Sequence, residues 1–248
     1  MIIMKIIASD YDGTFNHNGI DDNKRNAVSR WRKAGNLFGI ISGRGYPSLK
    51  DIVDSKPFEY DFLICNNGAV IYNDKEKIVF ETRCDGDRAK PLIDDMFKWG
   101  CPMANIDKDI PIMVKNINNE TEDCEYTLDT LPEITYFNQI STYLHSVDEA
   151  TVVVKKIEEK YSDILTPLQN GTCIDIVPNG VNKAQGIYAL LKLVGATYDD
   201  VIAVGDNIND THMIAEFHSY AMENAVDSIK AIADNVVSDV MEIIDIEI

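Results

Sequence analysis

Apolar residues along the chain come in two rhythms. Residues 2–8 are apolar apart from Lys5, too short a run for a buried helix and continuous enough for a strand covered on both faces. The run stops at Asp10-Tyr11-Asp12-Gly13-Thr14, which is turn-forming. Residues 21–34 then place Ala27, Val28 and Trp31 on one helical face, with Gly35 as the stop. A second unbroken run, 37–41, ends at Ser42-Gly43-Arg44, residues 49–55 predict a helix, and a third run, 62–65, ends at Asn66-Asn67-Gly68. Strands that close on polar or glycine residues, with helices between them, predict βαβ units and a parallel sheet.

The rhythm changes near Val70. Residues 70–72 and 78–80 flank Asn73-Asp74-Lys75 as the arms of a hairpin. Helices are expected over 87–99, 122–131 and 148–161, and strands over 103–106, 112–114, 134–139, 165–169 and 172–177. At Asn182 the first rhythm returns, with a helix over 182–194 that Asn182 caps and Gly195 ends. A buried strand over 201–204 runs into Gly205-Asp206, Asp210 is placed to cap a helix through Phe217, and a last β-α-β stretch covers 220–237. The pattern predicts one α/β domain interrupted by an inserted α+β segment.

Composition narrows the function classes. A net charge of −18 over 248 residues argues against nucleic acid, whose phosphates require a basic surface. A small phosphorylated ligand remains compatible, provided a cation accompanies any clustered carboxylates that meet it. No apolar run approaches the ~20 residues of a membrane helix, and the opening run is too short for a signal peptide, so the expected location is the cytoplasm. The five cysteines contain no Cys-x-x-Cys pair and the four histidines do not cluster, so neither a zinc site nor a disulfide framework is signalled.

Ligands of open α/β sheets bind beyond the carboxyl ends of the strands. Four polar groups fall there: Asp10 with Asp12, Ser42, Asn66 with Asn67, and Asp206 with Asp210. Asp10 and Asp12 alternate in an extended segment and can face one side. Alone, the pair is also what a turn would use; chemically it is a nucleophile with an acid/base partner, one carboxylate attacking phosphorus and the other serving the leaving alcohol. Two anions approach each other poorly, and phosphate-monoester hydrolysis calls for accelerations of up to about 10²¹-fold. A hard cation with oxygen ligands is the natural remedy. Asp206 offers a ligand from a second strand end, with Asn209 and Asp210 one turn on, although 205–210 would equally serve as a loop and helix cap. Ser42-Gly43 presents a hydroxyl and a bare amide to phosphate oxygens, and Lys183, in the first turn of its helix, can neutralise phosphate and nucleophile together.

In this order the motifs resemble the haloacid dehalogenase-like hydrolase superfamily: Asp10-x-Asp12-Gly13-Thr14, Ser42-Gly43-Arg44, Lys183, and Gly205-Asp206-x-x-Asn209-Asp210. Asn66-Asn67-Gly68-Ala69 and Gly180-Val181-Asn182-Lys183-Ala184 are similar to its Cof-type branch, with a type IIB cap between the second and third motifs. The resemblance implies a Rossmann-like parallel sheet core over 1–82 and 183–248, with an α+β cap over 83–182 that selects substrate. It implies Asp10 as nucleophile and Asp12 as general acid/base. Magnesium would be held by Asp10, the Asp12 backbone carbonyl and Asp206, supported by Asp210. Phosphate would meet Ser42, Gly43, Lys183 and Asn209, while Arg44 receives no catalytic role. The expected activity is a magnesium-dependent phosphatase acting on a small phosphorylated metabolite, a sugar phosphate first, through an aspartyl phosphate. The alternatives are a phosphomutase and a non-catalytic phosphometabolite binder. Tyr46, Trp99, Asn105, Tyr136 and Asn138 are candidate substrate-wall residues; neither the exact substrate nor an oligomeric state is written in the sequence.

Overall fold

The computed structural model describes residues 4–117 and 124–248. The chain opens with β1 (Ile6–Ser9), α1 (Asp22–Lys33), β2 (Leu37–Ile41), α2 (Tyr46–Ser55), β3 (Phe62–Cys65) and the hairpin β4 (Val70–Asn73) and β5 (Ile78–Glu81). A middle stretch follows: β6 (Cys84–Asp85), α3 (Ala89–Lys98), β7 (Met103–Asp107), β8 (Ile112–Lys115), β9 (Tyr126–Thr127), β10 (Tyr136–Phe137), β11 (Gln139–Tyr143), α4 (Val147–Tyr161), β12 (Leu165–Asn170) and β13 (Cys173–Pro178). It closes with α5 (Lys183–Val194), β14 (Val201–Gly205), α6 (Thr211–Glu216), β15 (His218–Met222), α7 (Asp227–Lys230), β16 (Asn235–Val237) and α8 (Val240–Glu247). Two compact units result, Met1–Phe80 with Asn182–Ile248, and Glu81–Val181.

The first unit is built on one sheet in the order β16-β15-β14-β1-β2-β3-β4-β5, with parallel pairing from β16 to β3 and an antiparallel turn to β4. β1 lies inside it, Ile6 in register with Val201 on one side and Leu37 on the other. Every residue of β1, β3 and β14 is buried, as strands covered by helices on both faces require. Helix α1 starts where the Asp21 carboxylate accepts the Lys24 amide at 2.9 Å, and α5 where Asn182 accepts the Gln185 amide at 3.0 Å.

The second unit has its own core. A sheet in the order β12-β13-β11-β7-β8-β9 buries Ala104, Ile106, Ile140, Ile174 and Ile176 together with Leu92, Ile93 and Met96 of α3 and Val153 and Ile157 of α4. The register puts Asn105, Asp107, Gln139, Ser141 and Asp175 on the other face. The fold is therefore α/β with a Rossmann-like parallel core and an inserted α+β unit.

Several elements depart from expectation. The predicted helix over 122–131 is replaced, from Tyr126 on, by a two-residue strand parallel to β8 and a turn; Glu122 and Asp123 lie outside the described residues, as do Ile2 and Ile3 of the first predicted strand. The Thr130 hydroxyl accepts the Thr127 amide at 2.9 Å, a local bond that competes with helix. The predicted strand over 134–139 is broken at Asn138, whose amide donates to the Glu81 carboxylate and the Thr82 carbonyl, each at 2.9 Å. Helix α2 begins earlier than 49, with Pro47 in its first turn, where a missing N–H costs nothing. Helix α8 carries no expectation from the sequence; Asp239 caps it, accepting the Met241 amide at 3.0 Å.

Candidate active site

All eight sequence-nominated site residues belong to the first unit. Asp10 follows β1 directly, and its amide donates to the Val204 carbonyl of β14 at 2.9 Å, tying the two strand ends together. Gly13 then turns the chain at φ +83°, and a Cβ there would stand 2.4 Å from the Asp206 Oδ2 atom. Only glycine allows this approach. Thr14, next in the chain, donates its hydroxyl to Asp206 Oδ1 at 2.7 Å.

Lys183 is brought in by a second close approach. A Cβ on Gly68 would stand 2.3 Å from the Asn182 carbonyl oxygen, and one on Gly186 2.7 Å from the Gly68 Cα. The start of α5 therefore lies against the loop that leaves β3. From there the Lys183 ammonium, fully buried, donates to Asp10 Oδ1 at 2.6 Å and to Asp210 Oδ1 at 2.5 Å. Asp210, also fully buried, uses its other oxygen to accept the Asp206 and Asn207 amides at 2.9 and 3.0 Å. Asp210 thus reaches back to the strand end instead of forward to cap α6, where it makes no side-chain cap bond.

One ammonium faces three carboxylates. Burial opposes the charge on Lys183, but Asp10 and Asp210 outweigh it and hold the ammonium above its ordinary value. Burial pushes the Asp10 carboxyl up, Lys183 opposes this, and Asp210 and Asp206 add to it. Burial likewise raises Asp206, with Thr14 opposing and Asp210 adding. One oxygen each from Asp10, Asp206 and Asp210 lies within 4.8 Å of the others. Hard oxygen donors carrying more negative charge than the single lysine neutralises fit a divalent cation.

Asp12 takes a different direction. Its carboxylate is gripped by Arg44, with Nε to Oδ2 at 2.7 Å and Nη2 to Oδ1 at 3.0 Å, a bidentate fork outside the carboxylate group just described. The fork draws the Arg44 guanidinium above its ordinary value, first through the hydrogen bonds to Asp12. Ser42 is buried at the end of β2; its hydroxyl accepts the Arg44 amide at 3.1 Å, and its carbonyl accepts the Asn67 amide at 2.9 Å. Gly43 follows it, and Asn209 is half-buried in the turn Ile208–Asp210.

Sequence reasoning missed the grip of Arg44 on Asp12 and the bond from Thr14 to Asp206, although both residues stood inside quoted motifs. It also missed Asn224, which donates to the Gly13 carbonyl at 2.9 Å and carries no sequence signal. The candidate wall residues scatter. Tyr46 stacks on Tyr72 at 3.8 Å in the first unit, while Trp99 packs on the core of the second. Tyr136 lies under the Arg83 guanidinium at 3.8 Å, and Asn138 is committed to Glu81 and Thr82. Asn105 alone among them shares the polar sheet face.

Comparison with known proteins places this geometry. The family model described as haloacid dehalogenase-like hydrolase matches residues 7–242. The 5-amino-6-(5-phospho-D-ribitylamino)uracil phosphatase YbjI of Escherichia coli is 26% identical, covering 93% of this chain and 89% of its own. A haloacid dehalogenase-like hydrolase from B. subtilis superposes with a TM-score of 0.83 at 19% identity, over 99% of this chain and 100% of that one. A subclass IIB sugar phosphatase gives 0.75 at 19% identity, over 96% and 95%. At these identities the two solved structures establish the shared fold alone.

Proposed function

This chain belongs to the haloacid dehalogenase-like hydrolase family, and we propose that it is a magnesium-dependent phosphatase of a small phosphorylated metabolite, with sugar phosphates the first class to test. The observation that carries the reading is the buried Lys183 ammonium held between Asp10 and Asp210, with Asp206 in the same group. A structural ion pair needs one carboxylate; this arrangement gathers three around one lysine at the strand ends, where a ligand belongs.

In this reading Asp10 is the nucleophile. Lys183 engages Oδ1, and Oδ2 forms the bond to phosphorus as the bond from phosphorus to the alcohol oxygen breaks. Asp12, turned away from the carboxylate group, gives a proton to that departing oxygen once it has left the Arg44 fork and been protonated from solvent. It then takes a proton from the water that attacks the aspartyl phosphate, which releases phosphate and restores Asp10. The Ser42 hydroxyl, the Gly43 amide, Lys183 and Asn209 hold the phosphoryl oxygens. Magnesium would be held by Asp10, Asp206 and the Asp12 backbone carbonyl, and would supply neutralisation of phosphoryl charge. Asp210, with Lys183 and two backbone amides on its oxygens, serves to position that group.

In this reading the inserted unit is the part that selects the substrate. The names of relatives support a phosphorylated small molecule: YbjI is a ribitylaminouracil phosphatase, and one structural neighbour is a sugar phosphatase.

The test is phosphate release from p-nitrophenyl phosphate and a panel of sugar phosphates, with and without magnesium, alongside Asp10→Asn. Turnover that requires the metal and disappears in the variant is expected. A folded protein that releases no phosphate from any compound would overturn the phosphatase reading.

A further inference from the structure

We propose that Asn224 is a positioning residue for the cation site: its side-chain amide holds the Gly13 peptide and thereby fixes the orientation of the Asp12 carbonyl assigned to magnesium. The inference rests on the metal-dependent reading above and adds to it a residue outside the ligand set. Asn224 lies on the loop that joins β15 to α7, and its Nδ2 atom donates to the Gly13 carbonyl at 2.9 Å. Gly13 belongs to the loop that leaves β1, and β14 stands between β1 and β15 in the sheet. The bond therefore links the exits of two strands that are not neighbours. The strand between them is the one that leads to Asp206.

The loop does not need this bond for its own shape. The Glu223 amide donates to the Val237 carbonyl of β16 at 2.8 Å, and the Ala225 amide to the Met222 carbonyl at 2.9 Å. The Val226 amide donates to the Asp206 carbonyl at 3.0 Å. Asn224 itself is exposed, where water would satisfy its amide equally well. On a loop already fastened by its backbone, the side chain is nevertheless spent on one distant acceptor.

What the bond constrains is Gly13. Glycine has the widest conformational range of any residue, and this one, at φ 83°, is the joint directly after the Asp12 carbonyl. On its far side the Thr14 hydroxyl is committed to Asp206 Oδ1 at 2.7 Å. With the Gly13 carbonyl held by Asn224 and Thr14 held by Asp206, the joint cannot swing, and the peptide between Asp12 and Gly13 keeps one orientation. Val226 holds the main chain of Asp206 from the same loop. One loop thus steadies both segments that would hold the cation. Partners that orient metal ligands are commonly worth about 10- to 100-fold in affinity.

The experiment is a magnesium titration by calorimetry of the substrate-free parent chain, Asn224→Ala and Asn224→Leu, with melting curves recorded in EDTA. Leucine keeps the bulk of the side chain and removes the donor. The expected result is a magnesium dissociation constant raised about tenfold or more in both variants, with metal-free melting temperatures within about 4 °C of the parent. A constant within about threefold of the parent in either variant would overturn the assignment. So would a metal-free melting temperature lowered beyond that range, which would make Asn224 a support of the fold and not of the cation site. A parent chain that binds no magnesium would overturn both this inference and the metal-dependent reading beneath it. Because no substrate is present, these outcomes stay separate from failure of the phosphatase assay.

Discussion

Lys183 decides the site at the scale of single residues. It is a buried cation whose removal leaves Asp10 and Asp210 buried against each other, and breaking a buried pair in this way costs about 3–5 kcal/mol. Lys183→Met should therefore lower both the melting temperature and the turnover, the latter by at least ~10²-fold, as loss of a charge-stabilising donor does. Single-turnover kinetics on protein shown folded by circular dichroism would check this; turnover within a few fold of the parent chain would contradict it. Asp107, on the polar face of the inserted sheet, gives a pH signature. Burial first, then Asp175, push its carboxyl up to about 7, against hydrogen bonds from Asn105 and Gln139. The folded chain keeps this proton where the unfolded chain loses it, so stability falls as pH rises from about 4 to about 7 and is level above. Asp107→Asn should then change little at pH 4 and stabilise increasingly toward pH 7, by up to ~1.4 kcal/mol for each step of one in pH across that window. Urea titrations across that range would reveal it. Legibility at this scale was uneven. Asp10 and Lys183 could be read because each follows a boundary marked by local pattern. Lys24 could not: it lies one turn before Val28 on a helix, where a lysine reads as solvated, yet it is buried with the Phe15 and His17 carbonyls and the Asp239 carboxylate around its ammonium.

Among the elements, the contact between the β3 exit loop and α5 has the most leverage. Gly68 and Gly186 meet without side chains, and any Cβ on Gly186 would fall 2.7 Å from the Gly68 Cα and 2.9 Å from Ile64 Cγ2. Backbone cannot yield as a flexible side chain can, so Gly186→Ala should push the first turn of α5, and Lys183 with it, away from Asp10. A loss of activity larger than the loss of stability is expected, because the displaced ammonium matters more to the chemistry than one strained contact does to the fold. Measuring kcat and the melting temperature on the same preparation separates the two. The buried strands and the helices α1 and α5 were legible because each has a continuous or 3.6-period pattern with a cap. The elements that were misread depend on distant partners. β9 exists through pairing with β8, and the break between β10 and β11 through bonds from Asn138 to residues 57 and 56 positions away. No local window contains such information.

At the scale of the whole molecule, the described residues form two hydrophobic cores, one per unit, that share no member. Such a chain need not unfold in one step. Calorimetry should show either two transitions or a calorimetric enthalpy above the van't Hoff value. Magnesium should raise only the transition of the unit that holds Asp10 and Asp206, by ~2.7 kcal/mol at a hundredfold excess over its dissociation constant. A shift of both transitions together would mean that the units unfold as one. The sequence pattern put the boundaries at 82/83 and 182/183, and the compact units divide after Phe80 and after Val181. Among the described residues no helix is long and apolar enough to cross a bilayer.

The pairing of Ile6 with Val201 also imposes a schedule on synthesis. The strand bearing Asp10 is made early relative to its neighbour on one side, which follows only after the entire inserted unit. At ~5–20 residues per second, that edge stays unpaired for roughly ten to forty seconds. During that interval β2 and β3 can assemble on the opposite side and the inserted unit can collapse around its own core. Asp10 is thus made well before the lysine and carboxylates that surround it, so this group of charges cannot assemble until the inserted unit has been translated.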